Sequence, residues 1–416
     1  MPARTLQDLV SAAASLHPDR AAVLYDSGSG ETPGSLLYRE VVQLAEDLSA
    51  ALLQNCSPRG GAVGLYCSDD LLVPAWILGI LQSSAAYVPL DPEAPGLLTA
   101  RVMSQCGLKY CAVKRDLVKL FSPPYRSKTL IALIVRVFFY LNINSYSPLL
   151  SRLAFSGGCS RSRPCGGLRG AAPVQVDLDA HRASSSRRGR TSESGLGVRP
   201  AHVRHDGSSQ NREGSPQVHR PQYSRLVSLL RSLFQMSADD VVFLASPLTF
   251  DPSVVDIFLA LSSGALLLIV PSVMKKMPGR LAQMLFKHHR TTVLQVTPTL
   301  LVRFGPGILK RDVLSPGSSL RVLALGGEAC PSPAQLRSWK HEENKTAVYN
   351  IYGVTEVSCW ASCYRVPEPQ LHSVSSVPLG TPLMDTVVEV RNEDDCVITE
   401  GEGQVFIGGT DFYLFI

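Results

Sequence analysis

Residues 350–356 read Asn-Ile-Tyr-Gly-Val-Thr-Glu, and their types and spacing suit nucleotide chemistry. Tyr352 offers an aromatic face to a base, Thr355 a hydroxyl to a phosphate oxygen, and Glu356 a carboxylate to a magnesium ion. Val348 and Tyr349 read as the end of a strand, and Gly353 lets the backbone turn so that its neighbours converge. The same seven residues also read as an ordinary strand-to-loop turn. A second candidate is Phe-Asp-Pro-Ser at residues 250–253. There Asp251 and Ser253 precede an apolar helix, so Asp251 also reads as a helix cap. The third is Gly326-Gly327-Glu328, where a strand runs straight into paired glycines. That leaves bare backbone at the carboxyl edge of a parallel sheet, the usual ligand crevice.

Such residues need a scaffold. With 416 residues, 45% of them hydrophobic and 18% charged, the chain can bury a large core in two or three structural units. The first 125 residues alternate. A helix from about Leu6 leads to a strand at 21–25, a Gly/Ser turn, an amphipathic helix at 38–53, a strand at 63–66, an apolar helix at 72–81 and a strand at 86–90 that Asp91-Pro92 terminates. The alternation resumes near Leu226, with strands at 241–245, 266–270, 293–296 and 320–325 and helices at 254–261 and 279–289. This pattern predicts an α/β fold of layered, mostly parallel sheets with covering helices.

Between these halves the periodicity fails. Residues 156–224 are crowded with Arg, Ser and Gly and hold scarcely one periodic apolar segment, which predicts a disordered basic insert. The expected division is 1–127, first part of the fold; 128–225, aberrant basic segment; 226–416, second part of the fold. The formal charge of +5 gathers in the middle. A nucleic-acid-binding linker is one reading, but no aromatic residues interleave the arginines, so no specific nucleic-acid partner is expected. The ten cysteines form no Cys-x-x-Cys pair; they predict reduced thiols and a cytoplasmic location, with Cys359 and Cys363 as packing residues. No secretory signal opens the chain. The apolar runs at 130–141, with Arg136, and 254–270, broken by Asp256, predict no membrane span.

Taken in order, the motifs resemble the adenylate-forming superfamily. Residues 86–92 are similar to its Tyr-Val-Pro-Leu-Asp-Pro signature, 250–253 to its Phe-Asp-x-Ser, 325–328 to its Gly-Gly-Glu, 350–356 to its Asn-x-Tyr-Gly-x-Thr-Glu, and 401–405 to the Gly-Glu strand that follows. The resemblance covers residues 1–125 and about 233–409. It implies an acid-thiol ligase that adenylates an amino acid with ATP and Mg2+ and passes the acyl group to a thiol, such as a phosphopantetheine carrier. By the same resemblance Asn350 and Tyr352 contact adenine, Thr355 the phosphate and Glu356 the magnesium. Gly326, Gly327, Glu328 and Gly353 belong to the nucleotide site, and Asp251 pairs with the substrate ammonium, beta-alanine being the leading substrate.

The departures carry equal information. The superfamily's phosphate loop, Thr-Ser-Gly-Thr-Thr-Gly-x-Pro-Lys, belongs between Lys128 and Leu226 and is absent there. Its ribose-binding Thr-Gly-Asp and the lid carrying a catalytic lysine are expected beyond Gly409, and neither lies within residues 1–416. Shifting the codons of residues 197–210 by one nucleotide permits Ala-Tyr-Val-Leu-His-Thr-Ser-Gly-Thr-Thr-Gly-x-Pro-Lys. Through Gln222 the same offset permits Ile-Val-Arg-Val-Pro-His-Lys-Cys-Ile-Val-Pro-Asn. Codon degeneracy leaves a choice at each position, but so long an unbroken match identifies the segment as the loop region translated out of frame. Impaired catalysis follows as an expectation, with a non-catalytic scaffold or regulator as the alternative.

Overall fold

The computed structural model describes residues 5–55, 58–121, 131–135, 220–357, 359–372 and 376–409, and these lie in one unit formed by Met1–Phe155 and Asn211–Ile416. Its strands are β1 (Ala21–Tyr25), β2 (Gly34–Leu37), β3 (Ala62–Tyr66), β4 (Ala86–Leu90), β5 (Tyr110–Lys114), β6 (Ile131–Val135), β7 (Val241–Phe243), β8 (Leu266–Ile269), β9 (Val293–Val296), β10 (Val322–Leu325), β11 (Ala347–Tyr352), β12 (Ser362–Val366), β13 (Thr381–Pro382), β14 (Thr386–Arg391) and β15 (Gln404–Gly409). The helices that matter most here are α1 (Leu6–Leu16), α2 (Tyr38–Asn55), α3 (Val73–Gln82), α4 (Gly96–Gln105), α5 (Arg220–Leu233) and α6 (Pro252–Ser262).

A nine-stranded sheet runs β13-β12-β11-β10-β9-β7-β8-β1-β2. Its centre, from β1 through β8, β7, β9 and β10 to β11, is parallel, and antiparallel strands close both edges. The continuous apolar runs of β8, β9 and β10 follow from burial on both faces. Leu267, Ile269, Val322 and Ala324 enter one core, while Leu268, Leu294, Leu323 and Leu325 enter the other, as a two-residue repeat demands. The first core also takes in α1, α2, α3, α5 and α6 and reaches Val63, Leu65 and Ala112 of a second sheet. That sheet is parallel, ordered β4-β3-β5-β6, with Met103 of α4 packed on its other face. β14 and β15 form a separate antiparallel pair.

The layered α/β prediction therefore holds, with local corrections. The Gly/Ser turn after β1 also contains β2, whose partner is a strand 9 or more residues upstream in the chain and so invisible to local pattern. β6 lies inside the span assigned to the aberrant segment, held there by main-chain pairing to β5 from Tyr110↔Ile131 onward. The same span contains the start of α5. Tyr223, Leu226, Val227 and Leu230 recur at i, i+3, i+4 and i+7 and are buried, so the amphipathic stripe begins before Leu226. The remainder of the insert, predicted disordered, lies outside the described residues. Cys359 and Cys363 are buried in the first core. Among the described residues no helix is long and apolar enough to cross a membrane.

The amino edge of the large sheet is pinned by Asp240, 3% exposed just before β7. Arg321 Nε donates to its Oδ1 at 2.7 Å and Thr292 Oγ1 donates to the same oxygen at 2.7 Å. Burial alone would raise this carboxyl, but hydrogen bonds from Arg321, Thr292 and the Ser237 N–H hold it below the usual carboxylate range. A depressed carboxylate pKa contributes stability above the unfolded-state value and loses it as pH falls through the folded-state value. Arg321→Ala is therefore expected to destabilise the fold by about 2–3 kcal/mol at neutral pH, the scale of hydrogen bonds to a charged group. Urea denaturation checks this: the variant and the parent converge in acid if Asp240 is the partner that matters.

Candidate functional site

β9, β10 and β11 lie side by side in parallel, with Leu325 opposite both Val296 and Asn350. Their carboxyl ends therefore release the turns at Thr297, Gly326 and Gly353 along one edge of the sheet. α6 starts from the same edge, after β7 and the loop that carries Asp251. The three sequence-derived segments thus share one rim, as the topology of a parallel sheet requires.

Their details differ from the sequence reading. β11 extends to Tyr352, so Asn350 and Tyr352 stand on the strand and not on the turn. Pairing with β10 on one side and β12 on the other carries the strand past the point where its apolar run stops. Asn350 is 4% exposed, and its Nδ2 donates to the carbonyl of Pro378 at 2.7 Å. Tyr352 is half-buried against a small apolar cluster that includes Val357, Ala361 and Ile407. Thr355 is exposed at the head of the one-turn helix Thr355–Val357. Glu356 sits within that turn; its side chain lies outside the described residues.

Gly353 acts through space. A Cβ there would lie 2.2 Å from the Cys359 carbonyl oxygen and 2.7 Å from both Ala361 N and Trp360 Cα. Glycine lets the chain at 359–361 fold back against the turn, where Cys359 itself takes a φ of +82°. Gly353→Ala is expected to cost about 1–3 kcal/mol by overpacking, read as a lowered melting temperature in calorimetry. Gly326 is similar, since a Cβ would meet Trp360 Cη2 at 2.6 Å and Ile351 O at 2.7 Å. Gly327 has φ +77°, a left-handed conformation that favours glycine. Glu328 accepts the Thr299 N–H at 2.9 Å, tying the glycine turn to the helix that Thr297 caps.

Neither Asp251 nor Ser253 caps α6. Asp251 has helical torsions, φ −58° and ψ −29°, and its side chain makes no capping bond; Ser253 Oγ donates backwards to the Phe250 carbonyl at 2.7 Å. Asp251 instead lines a cavity of about 180 Å³ walled by Leu6, Tyr87, Tyr223, Phe250, Val254 and Phe258. Burial raises the Tyr87 and Tyr223 phenols, and the Asp251 charge adds to both. Burial likewise raises the Cys359 thiol, with Asp251 and then Asp256 adding to it. A carboxylate in so apolar a wall favours a small cation. The cavity is below the roughly 300–1,000 Å³ of a drug-sized site. Sequence pattern marks neither tyrosine as a cavity residue: Tyr87 belongs to a strand signature, and Tyr223 lies in the segment where periodicity fails.

Among the described residues no group of three or more His, Cys, Asp or Glu side chains is gathered for a metal ion. The described donors do not form an all-protein metal centre.

A family model described as AMP-binding enzyme matches residues 10–135 and 217–413. The beta-alanine-activating enzyme of Danio rerio is 42% identical over 417 residues, covering 98% of this chain and 34% of that protein. The protein of the same name from Homo sapiens is 42% identical over 426 residues, covering 99% of this chain and 37% of that protein. The chain thus spans about a third of the length of these curated relatives. The nonribosomal peptide synthetase FmoA3 with alpha-methyl-L-serine-AMP bound superposes with a TM-score of 0.70 at 20% identity, covering 100% of this chain and 40% of that one. IdnL1 gives 0.68 at 20% identity, with 100% and 74% covered. At such identity these structures share the fold. Since the family model accounts for most of the sequence on both sides of the central segment, the chain belongs to the AMP-binding enzyme family.

Proposed function

We propose that the fold carried by this chain serves ATP-dependent adenylation of a small amino acid, with beta-alanine as the leading substrate and a carrier thiol as acceptor. The observation that carries this reading is the position of Asp251, in the wall of a small, mostly apolar cavity at the sheet edge where the Gly326 and Gly353 turns emerge. In this reading Asp251 pairs with the substrate ammonium and leaves the carboxylate to attack the α-phosphate, expelling pyrophosphate. Tyr352 presents its ring to adenine, and Asn350 shapes that subsite through its bond to the Pro378 carbonyl. Gly326 and Gly327 let the nucleotide approach the backbone, Glu328 fixes their turn, and Thr355 donates to a phosphate oxygen. Magnesium is assigned to Glu356 by the sequence motif alone; it supplies charge neutralisation at the phosphates, and its remaining ligands would be nucleotide oxygens and water. The names of the beta-alanine-activating relatives and the adenylate bound in FmoA3 support the same assignment.

This chain itself is proposed to be catalytically impaired. The family match stops at residue 135 and resumes at 217, which supports reading the intervening segment as the phosphate-loop region out of frame. The same gap favours a scaffold or regulatory role as the second reading. Pyrophosphate exchange separates them, run on this chain and on a frame-restored, full-length version with ATP and a panel of carboxylic acids. Amino-acid-dependent exchange by the restored version supports adenylation; exchange with none of the acids removes it.

A further inference from the structure

We infer that Asp256, through Gln295 and Trp360, is the positioning residue that sets the Gly326 and Gly353 turns relative to Asp251. The importance of those turns rests on the adenylation reading above; their dependence on Asp256 does not. Asp256 is wholly buried in α6, five residues beyond Asp251. Its Oδ1 accepts from Gln295 Nε2 at 2.9 Å, and the same nitrogen donates to the Pro252 carbonyl at 3.1 Å. On the opposite side of the amide, Gln295 Oε1 accepts from Trp360 Nε1 at 2.9 Å. Two acceptors facing one end of the amide and an indole donor facing the other leave a single orientation for Gln295. The chain of bonds therefore has a fixed direction from helix to strand to loop.

Trp360 is where the two turns meet. Its ring carbon Cη2 lies 2.6 Å from where a Cβ on Gly326 would be, and its Cα lies 2.7 Å from where a Cβ on Gly353 would be. The ring supports one turn and the backbone the other, so moving Trp360 moves both. Asp256 holds the far end. Burial pushes its carboxyl up, opposed by the backbone N–H groups of Ser246 and Ala245 and by the Lys275 charge. Directional bonds in a buried polar network restrict the arrangement of the groups they join. Here it joins the helix that follows Asp251 to both glycine turns, by side chains that are not among those lining the cavity.

Hydrogen–deuterium exchange on the full chain tests this. Asp256→Leu removes the acceptor that Gln295 Nε2 meets and keeps the site filled, and Gln295→Met removes both links at similar volume. In each variant the hydrogen-bonded amides of Gly326, Val357 and Ala361, which donate to Val296, Val354 and Tyr352, are expected to exchange at least about tenfold faster. Amides of β3 and β5 are expected to be unchanged. Unchanged exchange at the turns, or a uniform rise across the whole unit, overturns the inference; if Asp256→Leu does not fold, Gln295→Met carries the test alone. ATP binding is measured separately, on a frame-restored, full-length parent and on the same variants made in it. Its absence would count against the adenylation reading without touching the exchange result, whereas ATP binding equally strong in parent and variants would count against positioning.

Discussion

Asp251→Ala in a frame-restored, full-length version is expected to lower beta-alanine-dependent pyrophosphate exchange by about 100- to 1000-fold. The argument is electrostatic. Asp251 lies in a cavity whose other walls include Leu6, Phe250, Val254 and Phe258, so an ammonium entering it leaves water and meets one compensating charge. Breaking a buried pair by removing one partner costs about 3–5 kcal/mol, because the remaining charge is stranded. That loss appears in kcat/KM for the amino acid. The affinity for ATP alone is expected to stay unchanged, since Asp251 lines the cavity and no residue of the two glycine turns does. Asp251→Asn, which keeps the shape and loses the charge, is expected to fall nearly as far as Asp251→Ala. A loss confined to ATP binding would place Asp251 in a structural role.

The present chain is expected to exchange pyrophosphate at least about 100- to 1000-fold more slowly than the frame-restored version, the usual consequence of losing even one positioned oxyanion donor. The superfamily's phosphate loop supplies several donors at once: backbone N–H groups, hydroxyls and a lysine. On the out-of-frame reading proposed above, the nucleotides of that loop instead give a segment that contains Arg199, Arg204 and Arg212. Arginines bring charge, but the transition state is stabilised by donors held in place before charge develops. Exchange by this chain near the control's rate would show that other residues hold the phosphates. Sequencing the transcript between the codons for Leu117 and Leu233 tests for the frame change independently of any assay.

Much of the architecture was legible because burial on both faces leaves an unambiguous mark. The Val-Leu-Gln-Val of β9 and the Val-Leu-Ala-Leu of β10 admit little besides central parallel strands, and their ends deliver the glycine turns to the carboxyl edge. What failed was set by contacts distant in sequence. Asn350 and Tyr352 belong to a strand because β12, which follows the turn, pairs back onto them. Asp251 looked like a cap because local pattern cannot distinguish a carboxylate that bonds its helix from one that faces a cavity. Gly353 was read as a hinge, whereas the close approach of Cys359 and Ala361 explains it. Tyr223 was hidden in the segment judged aberrant, although the apolar stripe of α5 begins with it. Asp256 and Gln295 carried no local signal at all; each is a polar residue in an apolar run, and only the fold brings them within 2.9 Å.

The central claim is that this fold selects its acid by the ammonium group it carries. Beta-alanine and propionate share their carboxylate and three-carbon chain and differ in the amino group, so their pyrophosphate exchange rates with the frame-restored, full-length version give the most direct measurement. The account predicts beta-alanine-dependent exchange at least about 100-fold above that with propionate, the scale of one buried ion pair. Equal rates with the two acids would contradict it.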